Sequence, residues 1–175
     1  MTRKVVVFAA LSFLVAAAGP PAESQNIFSR ALGSAHLTGA EEVPPVDTLG
    51  QGQATLLYGA TRDEIAFRVN VAGVRNITQS HIHCGLKGVN GPVVAFLFGL
   101  VGGGVNLNGV LATGTITGAN IIPRPSSAAC PGGVGDMDDL LMQIHNGNTY
   151  VNVHSIAWPG GEVRGQVQPL EVLDR

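Results

Sequence analysis

The sequence predicts an all-β domain: an antiparallel, Greek-key-like β-sandwich or barrel with one short helix. Three observations carry this. From Ala35 onward the 175-residue chain breaks into short runs rich in Val, Ile, Thr and Phe, separated by Gly, Pro and Asn, as short strands joined by turns require. Within several runs apolar and polar residues alternate, because successive side chains on a strand point to opposite faces. Only the segment from Met137 to Ile144 shows the i, i+3, i+4, i+7 spacing of a buried helical stripe.

The elements follow in order. An early strand carries His36. Gln53 to Tyr58 and Glu64 to Val71 read as two strands, with Gly59 and Thr61-Arg62-Asp63 supplying the turn between them. Ile77 to Cys84 is the next. Pro92 to Phe98 is almost wholly apolar, which predicts a strand in the middle of a sheet. Gly99 to Gly104 is glycine-rich, but no Gly-Lys-Ser/Thr follows, so it is a connector and not a phosphate cradle. Val110 to Thr117 forms another strand, and Ile122 to Ser127 a loop. In the helix, Met137, Leu140, Leu141 and Ile144 make the stripe, Asp136 is the N-cap, and Asp138 and Asp139 complement the dipole in the first turn. His145 ends it and Gly147 stops it. Tyr150 to Ile156 and Glu162 to Gln168 form a hairpin.

The N-terminus bounds where this domain works. Arg3 and Lys4, an apolar run from Val5 to Ala18, small residues and Pro20-Pro21 have the order of a secretory signal peptide. A membrane span needs about 20 apolar residues, and this run stops short. The organisation expected is a signal peptide and cleavage region at 1–24, a lead-in at 25–34 and one domain at 35–170, with no membrane span in the mature chain and a secreted, extracellular or periplasmic location. Removing Arg3 and Lys4 leaves eight basic against twelve acidic residues, so the formal charge moves from −2 to −4. With no basic cluster, nucleic acid is excluded as a partner. Cys84 and Cys130 are the only cysteines. In an exported chain an even pair predicts a disulfide; the competing reading has one thiolate as a metal ligand.

The chemistry concentrates in two strands. His81-Ile82-His83-Cys84-Gly85 places His81 and His83 on one face, with Ile82 and Cys84 on the other. Tyr150-Val151-Asn152-Val153-His154 places Asn152 and His154 on a face opposite Val151 and Val153. Converging, His81, His83 and His154 would suit copper or zinc with an open fourth position. Asn152, Glu162 and Arg164 are then the candidates to orient the rings. The competing reading is three hydrogen-bonded histidines on a sheet face. Arg164 also has Glu162 or Glu42 as a possible ion-pair partner, or an anion for its fork. Glu41 and Glu42 precede Val43-Pro44-Pro45 and read as a solvated edge, with a place near the histidine cluster as the alternative for Glu42. His36 reads as structural or exposed, His145 as a helix-end residue, and Asn76-Ile77-Thr78 as a glycosylation sequon. No Gly-x-Ser-x-Gly elbow, His-Glu-x-x-His helix or paired nucleophile and base is present, so no catalytic residue is assigned.

Four blocks together resemble the chordin-type extracellular domain, or CHRD domain. They are Leu37-Thr38-Gly39-Ala40-Glu41-Glu42-Val43-Pro44-Pro45-Val46, then His81 to Gly85 with Gly91-Pro92-Val93-Val94, then Tyr150 to Ser155, then Pro159-Gly160-Gly161-Glu162-Val163-Arg164-Gly165-Gln166. The departures are Trp158, where tyrosine or asparagine is common, and the glycine-rich insertion after Phe98. The resemblance implies an extracellular β-rich domain of the kind repeated in an animal antagonist of bone morphogenetic proteins and found alone in exported microbial proteins. It implies no active site. The His-x-His strand beside Cys84 and Gly85 is also similar to the copper-binding strand of the copper/zinc superoxide dismutases, although the other metal-loop histidines and aspartate of that family have no counterparts here. An immunoglobulin-like or dismutase-like sandwich is the expected architecture. The function expected is a secreted binding domain for an extracellular protein or matrix ligand, with copper or zinc as the candidate guest of the three histidines. The alternative is a copper-dependent redox or metal-handling protein of dismutase type. Partner identity and oligomeric state are not legible.

Overall fold

A computed structural model describes residues 30–61 and 63–170. The expected signal peptide at 1–24 and residues 25–29 of the expected lead-in lie outside the described residues. Among the described residues nine strands make one antiparallel sheet: β1 Ala31–Thr38, β2 Gln51–Tyr58, β3 Ile65–Ala72, β4 Ile77–Cys84, β5 Val93–Phe98, β6 Gly109–Ile116, β7 Thr149–Ser155, β8 Val163–Gln166 and the short β9 Gln168–Pro169. The first strand thus begins inside the segment expected to be lead-in.

Neighbours run in the order β5-β4-β7-β8-β1-β2-β3-β6, with β9 beside β1. The sheet curls until its two ends, β5 and β6, come alongside each other without pairing, so the result is a nearly closed barrel. Leu37, Leu56, Val69, Ile82, Val151 and Val163 project into one core. Alternation therefore sends His81, His83, Asn152, His154 and Arg164 to the barrel's outer face.

One expectation fails here. β5 is not central but ends the strand path. Its apolarity has two other causes. Val94, Ala95 and Leu97 are buried in the core, and its free edge is covered by a loop, where Ile122 N donates to Val94 O and Arg124 Nε to Val93 O. Edge cover of this kind removes the exposed ladder groups that would otherwise select polar residues.

The helix α1, Met137–His145, is capped by Asp136, whose Oδ1 accepts from Asp139 N at 3.0 Å. Met137, Leu140 and Ile144 are buried as expected, whereas Leu141 is half-buried and Gln143 takes the fourth buried place. Gln143 serves as a polar tie, its Nε2 donating to Pro131 O and Gly133 O at 2.7 and 3.0 Å. The loop it holds carries Cys130, which is bonded to Cys84. The disulfide thus pins the end of the histidine strand to the segment before the helix, and neither sulfur is available to a metal.

Candidate metal centre

Three adjacent strands build the site. β4 pairs with β7 and β7 with β8, so that His81 stands opposite Asn152, and Asn152 opposite Arg164. His154 lies two residues further along β7, diagonal to His81, within reach of a ring across strands. All three histidines are buried although they sit on the barrel's outer face. Loops close over two of them, Gly91 O reaching His83 and Pro159 O reaching His154, while on β5 the Phe96 ring meets the His81 ring edge-on at 4.4 Å.

One nitrogen from each of His81, His83 and His154 lies within 4.8 Å of the other two. The hydrogen bonds determine which nitrogens face inward. His83 Nδ1 is 2.8 Å from Gly91 O and His154 Nδ1 is 2.9 Å from Pro159 O. Carbonyl oxygens only accept, so both Nδ1 atoms carry their ring's proton and both Nε2 atoms are lone pairs. His81 has two arrangements. Its Nδ1 can donate to His154 Nε2 at 3.2 Å, or its Nε2 can donate to Gln79 Oε1 at 3.2 Å. The second leaves three lone pairs, one Nδ1 and two Nε2. His83 Nε2 also lies 3.1 Å from Asn152 Oδ1. Two acceptors at that distance repel unless the carboxamide turns over or a cation sits near both.

Burial keeps the cluster neutral. Desolvation, then the charges of His154 and His83, hold His81 at about 3, against an ordinary 6.5. Desolvation is also the first cause for His83, held at about 4, and for His154, which is lowered. Neutral imidazole is the ligating form. For tetrahedral metal–nitrogen bonds of about 2.0–2.1 Å, nitrogens up to 4.8 Å apart would close by up to about 1.5 Å.

The remaining candidates fall differently. Asn152 touches a ring. Glu162 does not orient one: its Oε1 accepts from Thr48 Oγ1 at 2.8 Å, tying β8 to the loop after β1. Arg164, almost wholly buried, forms no ion pair. Its Nη1 donates to Asn90 Oδ1 at 3.0 Å and its Nη2 to Val89 O at 2.9 Å. Its guanidinium lies 3.4 Å from the centre of the Tyr150 ring. Tyr150 in turn stacks on His83 at 4.6 Å, and at those distances arginine and histidine must occupy opposite faces of the phenol. Lys87–Glu41, at 3.7 Å, is the ion pair among the described residues.

Glu42, expected on a solvated edge, is buried. A 3-10 turn at Gly39–Glu41, closed by Glu42 N donating to Gly39 O, which also accepts from Val46 N, leaves Glu41 outside and folds Glu42 in. Sequence reasoning also missed Gln79, Gly91, Tyr150 and Pro159. Gln79 and Tyr150 had a signal, since each shares strand parity with the histidines. The two carbonyls had none, because any residue type supplies one.

Fold and site together define a class: a small, disulfide-braced antiparallel β-barrel with a desolvated histidine cluster under its loops. The CHRD domain family model matches residues 33–167. The chain belongs to the CHRD domain family. No curated protein and no solved structure matches it. Among the described residues no helix is long and apolar enough to cross a membrane. The family's extracellular character and the disulfide agree with each other.

Proposed function

We propose that this protein is an extracellular binding domain whose His81, His83 and His154 hold one transition-metal ion, copper or zinc, and whose partner is a protein or matrix ligand. The observation that carries the metal reading is the set of outer hydrogen bonds. Gly91 O and Pro159 O each take a ring proton and Gln79 Oε1 is placed to take that of His81, an arrangement that leaves the three remaining nitrogens as lone pairs. Outer acceptors that fix tautomer and ring orientation are the usual support of histidine ligands. The donor set fits borderline metals, and three ligands leave a position open. When bound, the ion would supply Lewis acidity or, as copper, one-electron chemistry. The chain's own residues orient the rings, exclude water and keep protons off the inner nitrogens.

The open position favours keeping a second reading, a copper-dependent redox or metal-handling protein. Copper-loaded protein would then show a type-2 copper spectrum and turn over superoxide, whereas a binding domain would be inert.

The test is metal analysis and titration of the purified protein beside His81→Ala/His83→Ala. The expected result is one equivalent of copper or zinc in the parent and none in the variant. Equal, negligible uptake by both proteins ends the metal proposal.

A further inference from the structure

Two of the family-like blocks supply no histidine to the cluster, although Pro159 of one accepts from His154, and they face each other. Val43 to Val46 forms one wall of a cleft of about 190 Å³, Trp158 to Gly161 forms the other, and Glu42 lines it between them. We propose that this cleft is a binding site for an alkylammonium group, such as a lysine side chain presented by a protein partner. The proposal does not require that the histidines hold metal, although Pro159 belongs to both sites.

The cleft's chemistry is an apolar slot ending in a carboxyl group. Proline, valine and tryptophan surfaces suit an unbranched methylene chain, and Trp158, 41 % exposed, offers an indole face to a cation. Glu42 is only 6 % exposed, and its Oε1 has no hydrogen-bond partner. A buried polar atom left in that state calls for a missing partner. Its surroundings explain why the protein itself supplies none. The carboxyl group packs against the Cα of Gly161, in the space a side chain would fill there. The Val43 N–H acts on the carboxyl. Arg164 acts on it through its charge, while its Nη1 donates to Asn90 and its Nη2 to Val89 and Leu86.

The charges around the cleft favour a cation. Glu41 and Asp47 lie on the same segment as Glu42, one half-exposed and one exposed. Glu162 follows the other wall, with its Oε1 engaged by Thr48. Arg164, Tyr150 and Lys87 are the opposing or neutral groups nearby: Arg164 lies over Tyr150, and Lys87 is paired with Glu41. Desolvation raises Glu42 to about 7 even against Arg164, so the carboxyl holds a proton for much of the time at neutral pH. An incoming ammonium group would displace that proton, and binding would release it to solvent.

Trp158 is the only tryptophan in the chain, so indole emission reports directly on one wall. The experiment titrates the purified protein with N-acetyl-lysine methylamide and, separately, with its norleucine counterpart, which has the chain without the charge. N-butylammonium distinguishes a free amine from a lysine in peptide context. The expected result is a saturable emission change with both amines and none with norleucine, weakened at least about tenfold in Glu42→Gln, since an amide cannot pair with the cation. Calorimetry of the parent protein at pH 7, in two buffers of different ionisation enthalpy, should show proton release on binding. This arm needs no variant and stands even if Glu42→Gln fails to fold. Equal responses to lysine and norleucine, undiminished binding by a folded Glu42→Gln, or no proton release would overturn the proposal.

Discussion

At the scale of single residues, Arg164 has the largest reach. Its backbone belongs to β8, its guanidinium covers Tyr150, and its donors hold the loop at residues 86–90 that ends at Gly91. Gly91 O is the acceptor that orients His83. Lysine retains the charge but not the planar fork or the stacking. Arg164→Lys is therefore expected to leave Asn90 and Val89 short of donors and to destabilise the protein by about 2 kcal/mol. Chemical denaturation measures that loss, and amide exchange at residues 86–91 should rise in the same variant. Undisturbed exchange there would mean the loop holds itself. The sequence showed Arg164 sharing a strand face with Glu162 and Gln166, but its partners proved to be carbonyls and a carboxamide. Side-chain type predicts ion pairs; only the chain path reveals backbone acceptors.

At the scale of elements, alternation made the strands legible, and it placed the three histidines on the correct side of each strand. It could not place β4 beside β7, since any pairing of strands preserves each strand's parity. That juxtaposition comes from non-local packing, with Ile82, Val151 and Val153 sharing one core. The same limit explains β5, whose apolar run is equally consistent with a central strand and with an edge under a loop. Two joints between elements invite measurement. The Cys84–Cys130 bond closes a separation of 46 residues, worth about 4 kcal/mol of unfolded-chain entropy in the simple model. Cys84→Ser/Cys130→Ser should lose about 2–5 kcal/mol by denaturant titration, and the loop held by Gln143 should become the first site of proteolysis. The other joint is where β8 meets β1, along a single Thr38–Arg164 pair. A Cβ at Gly165 would overlap the His36 carbonyl, so the two backbones approach as closely as glycine permits. Gly165→Ala should force them apart and cost more than about 3 kcal/mol, in the range of overpacked or strained sites. A thermal midpoint within a degree or two of the parent would show that the seam yields.

At the scale of the whole molecule, the buried cluster couples stability to pH and to metal. The three rings are neutral when folded, with His81 at about 3, His83 at about 4 and His154 also lowered, and they titrate near 6.5 when exposed. Between those values the unfolded chain binds more protons, so stability rises with pH there. The rings' contribution is fully present above 6.5 and drains away as the pH falls toward 4 and then 3. Glu42 has the opposite sign: at about 7 folded against 4.5 unfolded, its contribution is present below 4.5 and lost as the pH rises through 7. Three rings outweigh one carboxyl group, so the unfolding midpoint of metal-free protein should fall between pH 6.5 and 5. The limb should flatten in His81→Gln/His83→Gln/His154→Gln. Metal adds a second consequence. Zinc at 100 times its Kd would stabilise the fold by about 2.7 kcal/mol. An exposed histidine site would lose affinity steeply below 6.5, as protons compete for its rings. Here the protons are already excluded by burial, and the folded rings stay neutral well below that pH. Zinc affinity should therefore change little between pH 7.5 and 5, as measured by competition with a chelator whose own protonation is known. A decline of tenfold or more over that range would mean that the rings meet water freely, and that the loops bearing Gly91 and Pro159 do not shield them.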